Sequence, residues 1–291
     1  MHLSTTTRAW RRAPAILAIL AILCLCSAAP FTQEPWIESK SAHFSVFYQA
    51  GFEDDARRVR TWAEDAERLM KEKYGVVPAH YRMAVYLHPA PVAAADVNTA
   101  HNHCCQSAGA TDSTGTIDML APSAPAMKSA TAISSLGLPK RSDDYHAKIL
   151  MSEYIPIGHY EAQNARPSGG WKYYSAPNWF VQGLQEYDAI FHTTTANRDV
   201  TAKRLSAWAT AHRAAFSCCT PDFAIADDYN GGAAFMTFLA VQFGEGVHAR
   251  LLRSGAPTFA DALTEETKPY THNELFLRLT QWLENGAPPR S

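Results

Sequence analysis

Two clusters of side chains in this sequence are of types and spacings that could do chemistry. His101, His103, Cys104 and Cys105 run together as H-N-H-C-C, and a second adjacent cysteine pair stands at Cys218 and Cys219. His and Cys are good zinc donors, but this crowding differs from the usual structural zinc spacings. An even number of cysteines in an exported chain points to disulfides instead. Of six cysteines, Cys24 and Cys26 lie in the predicted leader, residues 1–29, and the remaining four allow three pairings among which spacing does not choose; free thiols, a vicinal disulfide or a metal are the alternatives. The second cluster centres on Ser152 and Glu153, with His146 seven residues before Glu153 and His159 six after it. A Ser with a His base is a nucleophile in principle, yet no G-x-S-x-G elbow surrounds Ser152. On an unbroken helix His146 would share the face of Glu153, so a metal set of His146, Glu153 and His159 is an option, as is recruitment of His101 or His103. Pro156 counts against that unbroken helix.

The elements that must position these groups follow from the rest of the chain. Residues 1–29 read as a secretory signal peptide: Arg8, Arg11 and Arg12 precede an apolar run from Ala13 to Cys26, and Ser27-Ala28-Ala29 supplies small residues for cleavage. The run is shorter than the roughly 20 residues needed to span a bilayer, and no second apolar run of spanning length follows. Cleavage removes three Arg and no acid, taking the formal charge from −2 to −5. That balance gives no reason to expect a nucleic-acid partner. The destination is the medium, a periplasm or the cell envelope.

Residues 30–142 read as an α/β subdomain and 143–291 as a helical one, together a single domain of α+β class. Phe44, Val46 and Tyr48 alternate with Ser45 and Phe47, as in a half-buried strand. Phe52, Ala56, Val59, Ala63, Ala66 and Met70 recur at steps of three and four, predicting a helix from Glu53 to Tyr74 closed by Gly75. Arg82–Leu87 and Gly115–Leu120 read as further strands, and Ala121–Ser142 as a long connection. Helices are expected over Tyr145–Tyr154, Pro177–Phe191, Thr201–Phe216, Tyr229–Phe243, Thr258–Glu265 and His272–Glu284.

The order of these pieces resembles the peptidase MA-like gluzincins, zinc metallopeptidases whose third ligand is a Glu. The likeness runs from W-I-E-S-K-S-A-H-F-S-V-F-Y at Trp36 through the amphipathic helix and M-A-V-Y-L at Met83. It continues with I-L-M-S-E-Y-I-P at Ile149 and P-N-W-F-V-Q-G-L-Q-E-Y at Pro177, and ends with Y-N-G-G-A-A-F-M-T-F-L-A-V-Q-F-G at Tyr229. The resemblance implies a zincin-like fold: a small N-terminal mixed sheet with its helix, then a helical half. In active members H-E-x-x-H supplies two zinc-binding His and a general-base Glu, and a W-x-x-E-G helix supplies the third ligand. The matching positions here are Ser152, Glu153, Pro156 and Gln182.

The base position is kept and the ligand positions are not. Ser152 is a poor zinc donor, Pro156 has no side-chain donor, and the neutral amide of Gln182 binds zinc weakly. Without zinc a bound water stays near a pKa of ~15.7 rather than ~7. The expectation is therefore a pseudopeptidase with no cofactor, a non-catalytic binding or structural protein that keeps a cleft for a peptide or protein ligand; an active hydrolase with relocated zinc ligands is the alternative. Glu153 is the vestigial base, expected to bond to groups such as Tyr187 or Trp179, and Glu186 reads as structural. Trp171, Tyr173, Tyr174, Trp179, Phe180 and Tyr187 either pack the core or line that cleft. Pro156 predicts that its helix kinks or stops near Tyr154.

Overall fold

Alternating apolar residues set the sheet. In the computed structural model, which describes residues 35–75, 83–90, 109–111, 116–128, 142–164, 169–191, 195–217 and 224–287, Ile37–Lys40 (β1) and Phe44–Tyr48 (β2) form an antiparallel hairpin. Phe44 and Val46 are buried, and Phe47 on the opposite face stacks on Tyr86 with ring centroids 4.6 Å apart. A parallel partner for β2 requires a crossover, and Glu53–Tyr74 (α1) supplies it, leading to Met83–His88 (β3). Gly109–Thr111 (β4) and Ile117–Leu120 (β5) complete a five-stranded mixed sheet of order β1-β2-β3-β5-β4. Val46, Val85 and Ile117 lie in register across its parallel centre, and all four β5 residues are buried, as expected of a strand covered on both faces.

The α1 helix forms as its sequence requires. Glu53, Asp54 and Asp55 stand in its first turn and Lys71 and Lys73 in its last, complementing the helix dipole. Gly75 takes the left-handed conformation (φ 66°) and returns its N–H to the Lys71 carbonyl. Ala56, Val59, Ala63, Ala66, Met70 and Tyr74 are buried along one stripe. Asp55 is buried at the first turn, where it accepts from the Ser123 N–H at 2.8 Å and the Ser123 hydroxyl at 2.7 Å. That bond pins the start of the connection after β5, which contains a short helix, Pro125–Lys128 (α2).

The helical remainder comprises Asp143–Asn164 (α3), Asn178–Phe191 (α4), Thr195–Ala211 (α5), the two-residue strands Phe216–Ser217 (β6) and Ala224–Ile225 (β7), Asn230–Phe243 (α6), Val247–Arg253 (α7), Phe259–Glu266 (α8) and His272–Glu284 (α9). The α+β class with a small mixed sheet and a mostly helical remainder is as the sequence predicts. Among the described residues no helix is long and apolar enough to cross a membrane. Helix α3 has no single apolar face because it packs against both α1 and α4. The strands β1 and β4 and the helix α7 were not foreseen. β1 is an exposed polar edge, β4 is three residues with no alternation, and α7 is two turns long.

Gly183 and Gly232 set the crossing of α4 and α6. A Cβ on Gly183 would fall well inside contact distance of the Gly232 backbone, and one on Gly232 inside that of the Trp179 carbonyl. The small residue after Gln182 is thus explained by main-chain packing. Gly183→Ala or Gly232→Ala should force the helices apart and cost about 3 kcal/mol, whereas Gly255→Ala, which meets nothing within 4 Å, should stay within about 0.5 kcal/mol of wild type in urea unfolding.

Candidate functional site

Of the two outcomes expected of α3 at Pro156, a kink or a stop near Tyr154, the stop needs correcting. The helix continues through Pro156 to Asn164. Proline removes the N–H that would bond the Ser152 carbonyl, but the side-chain amide of Gln185 on α4 donates to that carbonyl instead. The tertiary contact replaces the missing helical bond. Ser152 itself is buried, and its hydroxyl donates back to the Ile149 carbonyl at 2.9 Å. Gln182 is half-buried one turn before Gln185 on α4, and α3 and α4 pack against each other.

Three successive residues of α4 tie three different parts of the chain. Glu186 is buried and pairs with Lys148 of α3 at 2.6 Å. Tyr187 donates to Glu245, just beyond α6, at 2.8 Å, and its ring lies 4.6 Å from the Lys73 ammonium. Asp188, fully buried, pairs with Lys73, accepts from the Tyr74 hydroxyl at 2.5 Å and bonds His159 Nε2 at 2.8 Å. A carboxylate only accepts, so Nε2 carries the ring proton and Nδ1 is left to accept from the Tyr173 hydroxyl at 3.1 Å. Lys73, Tyr74 and Asp188 were not singled out from the sequence; their spacing of more than 110 residues carries no local signal.

Glu153 is half-buried. It and Glu186 face Tyr229, whose hydroxyl is held above its usual pKa by burial first and then by Glu153, Glu186 and Asp228. Most of the aromatic group packs inward: Trp171, Tyr173, Trp179, Phe180 and Tyr187 are buried, and only Tyr174 is exposed. Trp179 packs edge-on against Phe235 at 5.1 Å, and its indole N–H has no hydrogen-bond partner. His146 and His159 belong to separate surroundings: His146 lies near Arg58, Asp55 and Asp143, His159 in the Asp188 network. Among the described residues, the one set of three or more ligand-type side chains gathered closely enough for a shared ion is His43, Glu64 and Glu67, so His146, Glu153 and His159 do not form one. His101, His103, Cys104, Cys105, Cys218, Cys219 and the segment 1–29 lie outside the described residues.

No protein-family model matches the chain, and no curated protein matches it.

Two predictions follow from these contacts. Gln185→Ala leaves the buried Ser152 carbonyl without its donor and should cost about 1–3 kcal/mol. In a Pro156→Ala background the restored helical N–H can take over, so the same substitution should cost much less; equal costs in the two backgrounds would refute the coupling. The second concerns acid. His248 is fully buried with Nε2 3.0 Å from the Met236 carbonyl. Burial, aided by Lys73 and opposed by Asp188, drives its pKa down to about 3. His146 and His159 are also lowered, chiefly by burial. An unfolded His titrates near ~6.5, so on acidification the unfolded chain takes up protons that the folded chain refuses. Stability is complete above about pH 6.5 and declines below it, by up to roughly 1.4 kcal/mol per pH unit for His248, with His146 and His159 acting in the same direction. Urea unfolding between pH 7 and 5 should show this decline, with a shallower slope in His248→Gln.

Proposed function

We propose that the chain is an exported pseudopeptidase of the gluzincin type, a zincin-like scaffold whose ancestral catalytic cleft serves binding or structure. The observation that carries this reading is the chemistry at the three matched ligand positions. A hydroxyl already bonded to the Ile149 carbonyl, a proline and a neutral amide stand where a catalytic zinc needs three donors and an open water position. The surroundings are consistent with reuse as scaffold: Gln185 bonds the Ser152 carbonyl, and Glu186 is paired with Lys148. Glu153 keeps the base position. Alone, a general base contributes about 10²- to 10⁴-fold, far below what amide hydrolysis demands. Export rests on the leader at residues 1–29, and disulfides among Cys104, Cys105, Cys218 and Cys219 belong to the same reading. The ligand proposed for the cleft is a peptide or protein segment.

The test is incubation of the mature chain with a mixed peptide library, with and without a chelator, beside Glu153→Gln. The expected outcome is no chelator-sensitive cleavage and identical profiles for the two proteins. Cleavage that the chelator stops and Glu153→Gln abolishes would establish an active hydrolase.

A further inference from the structure

A different group of side chains, which the sequence did not bring to notice, is better equipped for a metal. Glu64 and Glu67 stand one turn apart on α1, and His43 sits on the turn entering β2, where its carbonyl accepts from the Met83 N–H at 2.9 Å. Their ligand atoms lie within 4.8 Å of one another. His43 Nδ1 is 2.7 Å from Glu64 Oε2, and the His43 main-chain N–H donates to Glu64 Oε1 at 3.0 Å. The same Nδ1 is in close contact with Glu67 Oε2. One ring N–H aligned on Glu64 cannot serve both, and Glu67 Oε2 is buried without a hydrogen bond.

A second observation points into the same place from another helix. Tyr154 of α3 is 1% exposed, and its ring packs on Phe44 with centroids 5.4 Å apart. This brings its hydroxyl within electrostatic reach of both Glu67 and Glu64. That hydroxyl is buried and has no hydrogen-bond partner. Two carboxylates thus meet one imidazole, with Lys71 the other cation acting on Glu67, and two buried polar atoms at the inner wall are left unsatisfied.

We propose that His43, Glu64 and Glu67 bind a divalent transition-metal ion of the zinc class. One imidazole nitrogen and two carboxylate oxygens are donors that such ions accept. The side chains of His43 and Glu64 are 49% and 30% exposed, which leaves a side open for water ligands. Donors about 2.0–2.2 Å from a shared ion stand further apart than the present Nδ1–carboxylate contacts, so the group opens slightly as the ion takes the place of the ring proton. Tyr154 then orients the buried Glu67 carboxylate from behind. The ion clamps the entry of β2 to α1, at a place separate from Ser152 and Gln182.

The test uses the chain purified without a polyhistidine tag, stripped with a chelator and dialysed against zinc or cobalt(II). Bound metal is measured by plasma mass spectrometry and by the cobalt absorption spectrum. We expect one ion per chain, with affinity falling more than about 10-fold in His43→Ala and Glu67→Gln, and by roughly 10-fold in Tyr154→Phe. His43 is exposed enough that His43→Ala keeps the fold, so it decides the question if Glu67→Gln does not fold. No binding by the wild-type chain, or binding indifferent to His43→Ala, overturns the proposal. An ion released by Ser152→Ala or Gln182→Ala and not by His43→Ala would count against both this site and the pseudopeptidase reading, whereas chelator-sensitive cleavage with His43-dependent binding intact would remove only the latter.

Discussion

The carboxylate of Asp188 is the constraint around which the helices are arranged. It is wholly buried, and an uncompensated charge in that position would cost several kcal/mol. Compensation arrives from separate parts of the chain: Lys73 and Tyr74 at the end of α1, and His159 late in α3, itself held by Tyr173. These donors reach one residue of α4 only if the three helices converge there. The network also sets the state of its members. Burial, then Asp188, holds the Tyr74 hydroxyl well above its usual pKa, so it remains a donor. Burial outweighs Asp188 at His159 and keeps that imidazole neutral, with a single N–H to give. The flanking residues Glu186 and Tyr187 extend the same logic, one reaching Lys148 and the other Glu245.

Around this anchor, helix α3 survives a residue that ordinarily breaks helices. Pro156 deletes one main-chain donor, and Gln185 from the neighbouring helix supplies another. The arrangement ties the fate of α3 to the position of α4, which is in turn fixed against α6 by the contact of Gly183 with Gly232. A chain of local exceptions — a proline within a helix, two glycines within helices, a half-buried amide — is mutually consistent once the three helices are packed. Each would be destabilising alone.

This packing separates two regions with opposite character. Between α3 and α4 the polar atoms of Ser152, Gln185, Glu186 and Lys148 have protein partners. Between the start of β2 and α1 the balance is reversed, for acceptors outnumber donors and buried oxygens of Glu67 and Tyr154 go unmatched. Affinity for a cation belongs where unmatched acceptors converge, which is why we place it at His43 and not between α3 and α4.

The amino-acid sequence by itself determined the elements whose signals are local. The stripe from Ala56 to Met70 with its terminal charges and Gly75 fixed α1 from Glu53 to Tyr74, and the Phe44–Tyr48 alternation and the apolar runs at Met83 and Ile117 fixed the central strands. It also fixed the side chains at 152, 156 and 182 as a hydroxyl, a proline ring and a neutral amide, none of them a good zinc ligand. Tertiary structure alone decided that α3 runs through Pro156, because the replacement hydrogen bond to the Ser152 carbonyl comes from Gln185, 33 residues after Ser152. It alone brought Lys73 to Asp188 and His43 to Glu67, since partners far apart in sequence leave no periodic trace in either segment. Edge strands and two-turn helices such as β4 and α7 escaped notice for a related reason: they are stabilised by what they pack against, not by a pattern of their own.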